Sequence, residues 1–93
     1  MGLLKLCEEM TGVTVATTGQ PASDYSKGVV QAVKATAAFS AQIQGSNNNE
    51  DWVDIGSPLT SKTAGLSIAD PWEYLRAKVT ANSGTLTIVA SMR

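Results

Sequence analysis

Histidine is absent from this chain, cysteine occurs once, and neither a block of like charge nor a long apolar run interrupts it. Each absence removes a class of function. Without histidine, the Ser–His and Cys–His pairs that activate most nucleophiles cannot form. One cysteine cannot close an internal disulfide, and no histidine or cysteine cluster is present to bind a structural metal. Seven basic and eight acidic residues leave a net charge of −1, scattered without a basic patch, which argues against nucleic acid and anionic membranes as primary partners. No segment approaches the ~20 apolar residues of a membrane span. The expectation is a soluble protein, not an enzyme, with no cofactor, assembled in a reducing cytoplasm.

What is present is an alanine-rich set of alternating segments. Ninety-three residues make one small domain, of a size that buries only about 60–65% of its unfolded surface. The apolar fraction is 43%, yet twelve of those residues are alanine and only 5% of the chain is aromatic. Alanine removes little area from water at ~25 cal/mol per Å², so the core is expected to be thin. With disulfide and metal excluded, self-association is the remaining common remedy, and a homo-oligomer is expected.

The opening segment, Met1 to Met10, is not a signal peptide, since Lys5 and Glu8 break its short apolar run. Gly2 is not a myristoylation signal, because Leu6 stands where that signal needs Ser or Thr. Leu3, Leu6, Cys7 and Met10 fall at helix-like spacing. They suggest a brief docked helix, or an arm that orders only against a neighbouring subunit. Residues 1–27 are thus assigned to an N-terminal arm, a first strand at Gly12 to Ala16 and a polar loop. Residues 28–93 are assigned to the core of a single-domain β-sandwich.

Within that core Val29 to Lys34 reads as a strand of ambiguous phase, which a bulge near Gly28 would explain. Ala37, Phe39, Ala41 and Ile43 then share one face, with Ser40, Gln42 and Gln44 on the other. Gly45-Ser-Asn-Asn-Asn49 reverses the chain, and a short strand from Trp52 places Val53 and Ile55 inward until Gly56-Ser-Pro58 ends it. Ala64, Leu66 and Ile68 share a face, as do Leu75, Ala77 and Val79, with Tyr74, Arg76 and Lys78 opposite. Ala81-Asn-Ser-Gly84 is a hairpin signal, and Leu86, Ile88, Ala90 and Met92 face inward in the last strand. About seven strands with regular turns indicate an all-β fold, a small antiparallel jelly-roll-like sandwich.

The candidate sites are few. Cys7 reads as a packed thiol in apolar surroundings. Glu50, Asp51 and Asp54 follow a turn and are read as solvated rather than as catalytic carboxylates. Asn47-Asn-Asn-Glu-Asp51 is rich in the oxygen donors calcium prefers but reads first as a polar turn, so no metal is assigned. Trp52 and Trp72 stand at strand starts, where they close the ends of a core or stack on sugar. Tyr74 and Arg76 share an outer face and belong to types enriched at interface hot spots. The outer faces carrying Ser40, Gln42 and Gln44, and Thr85 and Thr87, are polar but uncharged, so burial against another protein desolvates no charge.

The blocks AQIQGSNNNEDWVDIG and DPWEYLRAKVTANSGTLTIVA resemble a family of small virion proteins of tailed bacteriophages. In those, a strand ends in Gln-Gly-Ser, an Asn-rich turn leads to a Trp strand, and a Trp-x-Tyr-Leu-Arg-Ala strand follows. The same blocks are similar to a shortened discoidin-like jelly roll, and the resemblance spans Ala37 to Val89. It implies a capsid decoration protein: a homodimer or homotrimer on the capsid exterior that binds the major capsid protein across subunit junctions and stabilises the virion. Leu3, Leu4 and Leu6, with Trp72, Tyr74 and Arg76, are the expected interface residues. The alternatives are a carbohydrate-binding module of a phage tail, using Asn47, Asn48, Asn49, Trp52 and Trp72, and a head–tail or tail-tube component. The turn is short and lacks the aromatic or basic tips of sugar-binding discoidin-like loops.

Overall fold

The computed structural model of the chain describes residues 2–12, 17, 19–63 and 65–93. The strand expected at Gly12 to Ala16 falls mostly on residues outside that set, as does Ala64. Among the described residues there is no helix. Eight strands run in order: β1 (Gly2–Thr11), β2 (Gln20–Pro21), β3 (Gly28–Ala35), β4 (Phe39–Ser46), β5 (Val53–Leu59), β6 (Gly65–Ile68), β7 (Tyr74–Asn82) and β8 (Thr85–Met92).

They form two antiparallel sheets, β1-β8-β3-β6 and β2-β7-β4-β5. The first strand pairs with the eighth, the second with the seventh, the third with the sixth and the fourth with the fifth. The chain is thus one long hairpin, folded at the Asn-rich turn and rolled into two layers, which is the jelly roll. Only β4 and β5 are both consecutive and paired. The Asn82-Ser-Gly84 turn, expected to close a hairpin, instead carries the chain from β7 in one sheet to β8 in the other. There Asn82 Oδ1 accepts the Gly84 N–H at 3.2 Å. Turn residues signal reversal, and nothing in them says which sheet receives the next strand.

The inner faces hold most of the expected alternation. Phe39, Ala41 and Ile43, then Leu75, Ala77 and Val79, then Leu86, Ile88, Ala90 and Met92 are all buried, whereas Ala37, also expected inward, precedes β4 and is exposed. Small residues sit opposite large ones: Ala41 faces Val79 and Ile43 faces Ala77 in one sheet, and Val30 faces Ala90 and Ala32 faces Ile88 in the other. Each alanine thus sits beside a branched neighbour on the next strand of its own sheet, so small and large residues alternate over both inner faces.

The N-terminal segment corrects the sequence reading. Residues 2–11 are neither a helix nor an arm awaiting a partner; they form β1, the edge strand beside β8. The ladder shifts register between Lys5 and Cys7 and again between Cys7 and Met10, so two extra residues enter this strand. Those bulges move the inward positions from a simple alternation to Leu4, Leu6, Cys7 and Met10, a spacing that imitates a helical stripe. Glu9 takes a positive φ of 45° in the second bulge, and its N–H donates to Thr87 Oγ1 at 2.8 Å. That contact covers Thr87, expected outward, and leaves it buried.

Two further readings shift. The irregularity in β3 lies between Ala32 and Lys34 rather than near Gly28; before it Val29 is exposed and Val30 buried by simple alternation, and within it Val33 is exposed. Strand β5 does not stop before Pro58. It continues to Leu59 because it is an edge strand, where proline withholds no needed donor. At its start Val53, expected inward, is 52% exposed.

Leu6, 2% exposed, and Leu3, 63% exposed, test whether β1 belongs to the cooperative unit. In urea denaturation Leu6→Ala is expected to lower stability by ~2–5 kcal/mol and Leu3→Ala by no more than ~0.5 kcal/mol. Equally small losses at both positions would place β1 outside the folded core.

Candidate functional site

The best-organised surface lies on the outer face of the β2-β7-β4-β5 sheet, and strand register builds it. Arg76 on β7 stands directly across from Gln44 on β4, which stands directly across from Asp54 on β5. Three polar side chains therefore line up in one row. Arg76 Nε donates to Gln44 Oε1 at 2.8 Å, and Gln44 Nε2 donates to Asp54 Oδ1 at 2.7 Å. Asp54 thus sets the orientation of the Gln44 amide, whose oxygen is left for the arginine. Gln44 itself is buried, so water does not compete freely for either bond.

Above this row the Arg76 guanidinium packs over Trp52, 4.1 Å from the ring centroid, within range of a cation–π contact. Partial desolvation lowers its pKa from the ordinary value, although a guanidinium stays charged at any physiological pH. The indole is held from another side by backbone. A side chain at Gly19 would come within 2.8 Å of the Trp52 ring and 2.6 Å of Asn49 Oδ1, so glycine there permits the close approach. Tyr74, two residues before Arg76, is half-buried on the same outer face.

The Asn-rich turn positions Trp52 and is tied to itself. Ser46 Oγ accepts the N–H groups of Asn48 at 3.2 Å and Asn49 at 3.0 Å. Asn48 Oδ1 accepts those of Glu50 and Asp51, both at 2.9 Å, and Asn48 Nδ2 donates to Asp51 Oδ2 at 3.0 Å. Asn47 Oδ1 accepts the Glu73 N–H at 3.3 Å, joining the turn to the segment before β7. Asn49 adopts φ of 60°, a conformation that asparagine tolerates better than most residues. Of the oxygens that suggested a ligand loop, those of Asn47 and Asn48 are thus engaged with the protein's own backbone and one of Asp51 with the Asn48 amide.

The other sequence candidates fall in different places. Trp72 is not beside Trp52 on the outer face. Its ring lies against Gly45, where a Cβ would overlap it, and it packs on the core cluster, closing one end of it. Leu6 is part of the core and Leu4 packs against it, so of the three leucines only Leu3 is presented outward. Cys7 is buried with its Sγ 3.7 Å from the Leu86 carbonyl oxygen. An open groove of about 460 Å³ lies at one end of the β1-β8-β3-β6 sheet, with Lys27, Val29, Ser67, Ser91 and Arg93 in its wall. Among the described residues no group of three acidic, cysteine or histidine side chains is placed to hold a metal.

Sequence reasoning missed two arrangements. One is the Asp54–Gln44–Arg76–Trp52 chain, which depends on a cross-strand register invisible to local pattern. The other is Gln42, whose Nε2 donates to the carbonyl oxygens of Ile55 and Gly56, each at 3.1 Å. It fills the gap where β5 bulges away from β4 between its Leu59 and Ile55 pairings. Comparison with protein-family models, curated proteins and solved structures finds no match to the chain.

Two measurements check this geometry. Ser46→Ala removes a buried acceptor of two N–H groups and is expected to cost ~1–3 kcal/mol, with Trp52 more exposed to a fluorescence quencher. An unchanged melting curve would mean that the turn does not rest on Ser46. Burial raises the Cys7 thiol above its ordinary pKa, partly offset by a hydrogen bond from the Ile88 backbone. An unfolded thiol ionises first, so this contribution to stability is present below about pH 8.5 and is lost as pH rises further. The wild type should therefore lose more stability than Cys7→Ala as pH rises above about 8.5; parallel pH curves would contradict the burial.

Proposed function

We propose that this chain is a structural protein of a bacteriophage particle, bound to the capsid exterior through protein–protein contacts and associated with copies of itself as a dimer or trimer. One observation carries the contact reading: the chain presents aliphatic side chains on one sheet face while guarding its strand edges. Of the exposed large hydrophobics Leu3, Val29, Val33 and Val53, the first three lie on the β1-β8-β3-β6 sheet. Leu3, Ser91, Val29 and Ser67 form one row across its four strands, with Val89 in the row beside it.

The edges offer little to strand addition. β1 carries two bulges, β2 has two residues and ends in Pro21, β6 has four residues, and β5 carries Pro58 and a bulge. Short, bulged or proline-bearing edges block pairing with another sheet. Association through a face remains open. The longer dimensions of the molecule, 32 and 25 Å, limit such a face to about the ~800 Å² that a standard interface takes from each partner. The Leu3–Val29 face suits a second copy, and the Arg76 face, with its Trp, Tyr and Arg, suits the capsid surface.

The jelly roll serves capsid and lectin domains alike, and a fold does not decide a function. The phage assignment rests on the resemblance of the Gln-Gly-Ser, Trp and Trp-x-Tyr-Leu-Arg-Ala blocks to small virion proteins. The mechanism is additive, since modest contacts repeated over many copies act together. A sugar-binding role draws less support, because Arg76 takes one face of Trp52 and Trp72 lies on the core, leaving no pair of open aromatic platforms.

Sedimentation velocity tests the self-association. At about 100 µM the wild type is expected to sediment above its 9.7 kDa monomer mass. Val29→Asp with Val33→Asp should bring it to the monomer with circular dichroism unchanged. A wild type that is monomeric throughout would remove the self-association from this reading.

A further inference from the structure

We infer that Arg76 is a preset receptor for a carboxylate, supplied by an aspartate or glutamate side chain of the partner surface. The identity of the partner rests on the docking role proposed above; the site itself belongs to the isolated chain. Arginine normally loses much rotamer freedom when it binds, which offsets part of the gain. Here that freedom is already restricted. Nε is committed to Gln44 Oε1, the planar group packs on Trp52, and Gln44 is fixed in turn by Asp54.

What remains open decides the ligand. A guanidinium carries five N–H donors in one plane. With Nε engaged, the side-on edge is closed, and the two terminal amino groups remain. Among the described residues neither of them has a hydrogen-bond acceptor, and the ion pairs present, Lys5 with Glu8 and Lys34 with Glu9, do not involve Arg76. Two parallel N–H donors at the end of the fork match the two oxygens of a carboxylate. Asp54, joined to the arginine through Gln44, places a negative charge in the same network. That charge opposes a dianion more than a monoanion, so the site favours a carboxylate over a phosphate group. Trp52, stacked on the guanidinium, shields one of its faces from water, as the surroundings of interface hot spots do.

The full chain, labelled with ¹⁵N, provides the test. The Arg76 Nε–H and Trp52 indole N–H signals are followed during titration with sodium acetate, against sodium chloride at matched ionic strength. Acetate should produce saturable shifts with a midpoint on the order of tens of mM, as expected for one charge-assisted pair in water. Arg76→Lys keeps the charge but loses the fork, and should weaken acetate at least about fivefold. Gln44→Ala frees Nε and should weaken it about threefold, while circular dichroism reports that both variants are folded. Acetate shifts no larger than those of chloride, equal binding by Arg76→Lys, or inorganic phosphate binding tenfold more tightly than acetate would each overturn the assignment. Attachment of the same variants to purified particles reads the docking role separately. Wild-type acetate binding without any attachment would remove the docking role and leave the site.

Discussion

Every layer of this molecule depends on one reversal. The chain doubles back between Ser46 and Trp52, and each strand before that point lies against its mirror-image strand after it, out to the pairing of β1 with β8. The turn is held by Ser46 and Asn48, which gather four backbone N–H groups between them. The two arms then roll into two sheets, in which strands also pair laterally, β3 with β8 and β4 with β7. That lateral pairing sets alanine beside valine or isoleucine on both inner faces. The β4–β7 and β4–β5 registers together line up Arg76, Gln44 and Asp54 on the outer face, so the strand pairing that orders the core also orders this row.

The strands with undisturbed alternation were legible from the residues, because a period of two over several residues leaves few readings. Ala41 to Ile43, Leu75 to Val79 and Leu86 to Met92 are the clear cases. Where the backbone breaks that period, the pattern misleads. Two bulges turn β1 into an apparent helical stripe, and an edge position lets β5 run through Pro58. Outer-face chemistry was only half visible. Arg76 and Tyr74 could be placed on one face, and Trp52 could be noted as a large aromatic beside a turn. Their meeting depends on the reversal bringing the start of β5 over β7, which no local spacing encodes. Gln42 and Gln44 looked like neutral surface residues, and the structure uses both as connectors.

The two faces of the sandwich are chemically different. One carries Leu3, Val29, Val33 and Val89 among serines and glycine, with paired charges at Lys5–Glu8 and Lys34–Glu9. The other carries a cation held against an aromatic ring. Unpaired strand edges are a hazard for any open sheet, and here each edge is short, bulged or interrupted by proline. In the proposed docking role, contact is therefore left to the faces. A core that relies on Ala22, Ala32, Ala41, Ala77 and Ala90 removes little area from water per residue, and in the proposed self-association an apolar face covered by a second copy supplies burial that the single chain lacks.

Whether stability is shared between copies is the central point, and thermal unfolding followed over about a hundredfold range of protein concentration addresses it most directly. A folded state stabilised by self-association melts at a temperature that climbs with concentration, because binding to the native form alone shifts the equilibrium by mass action. The account predicts that climb. A melting temperature that stays the same across the whole range would show a self-sufficient monomer and contradict it.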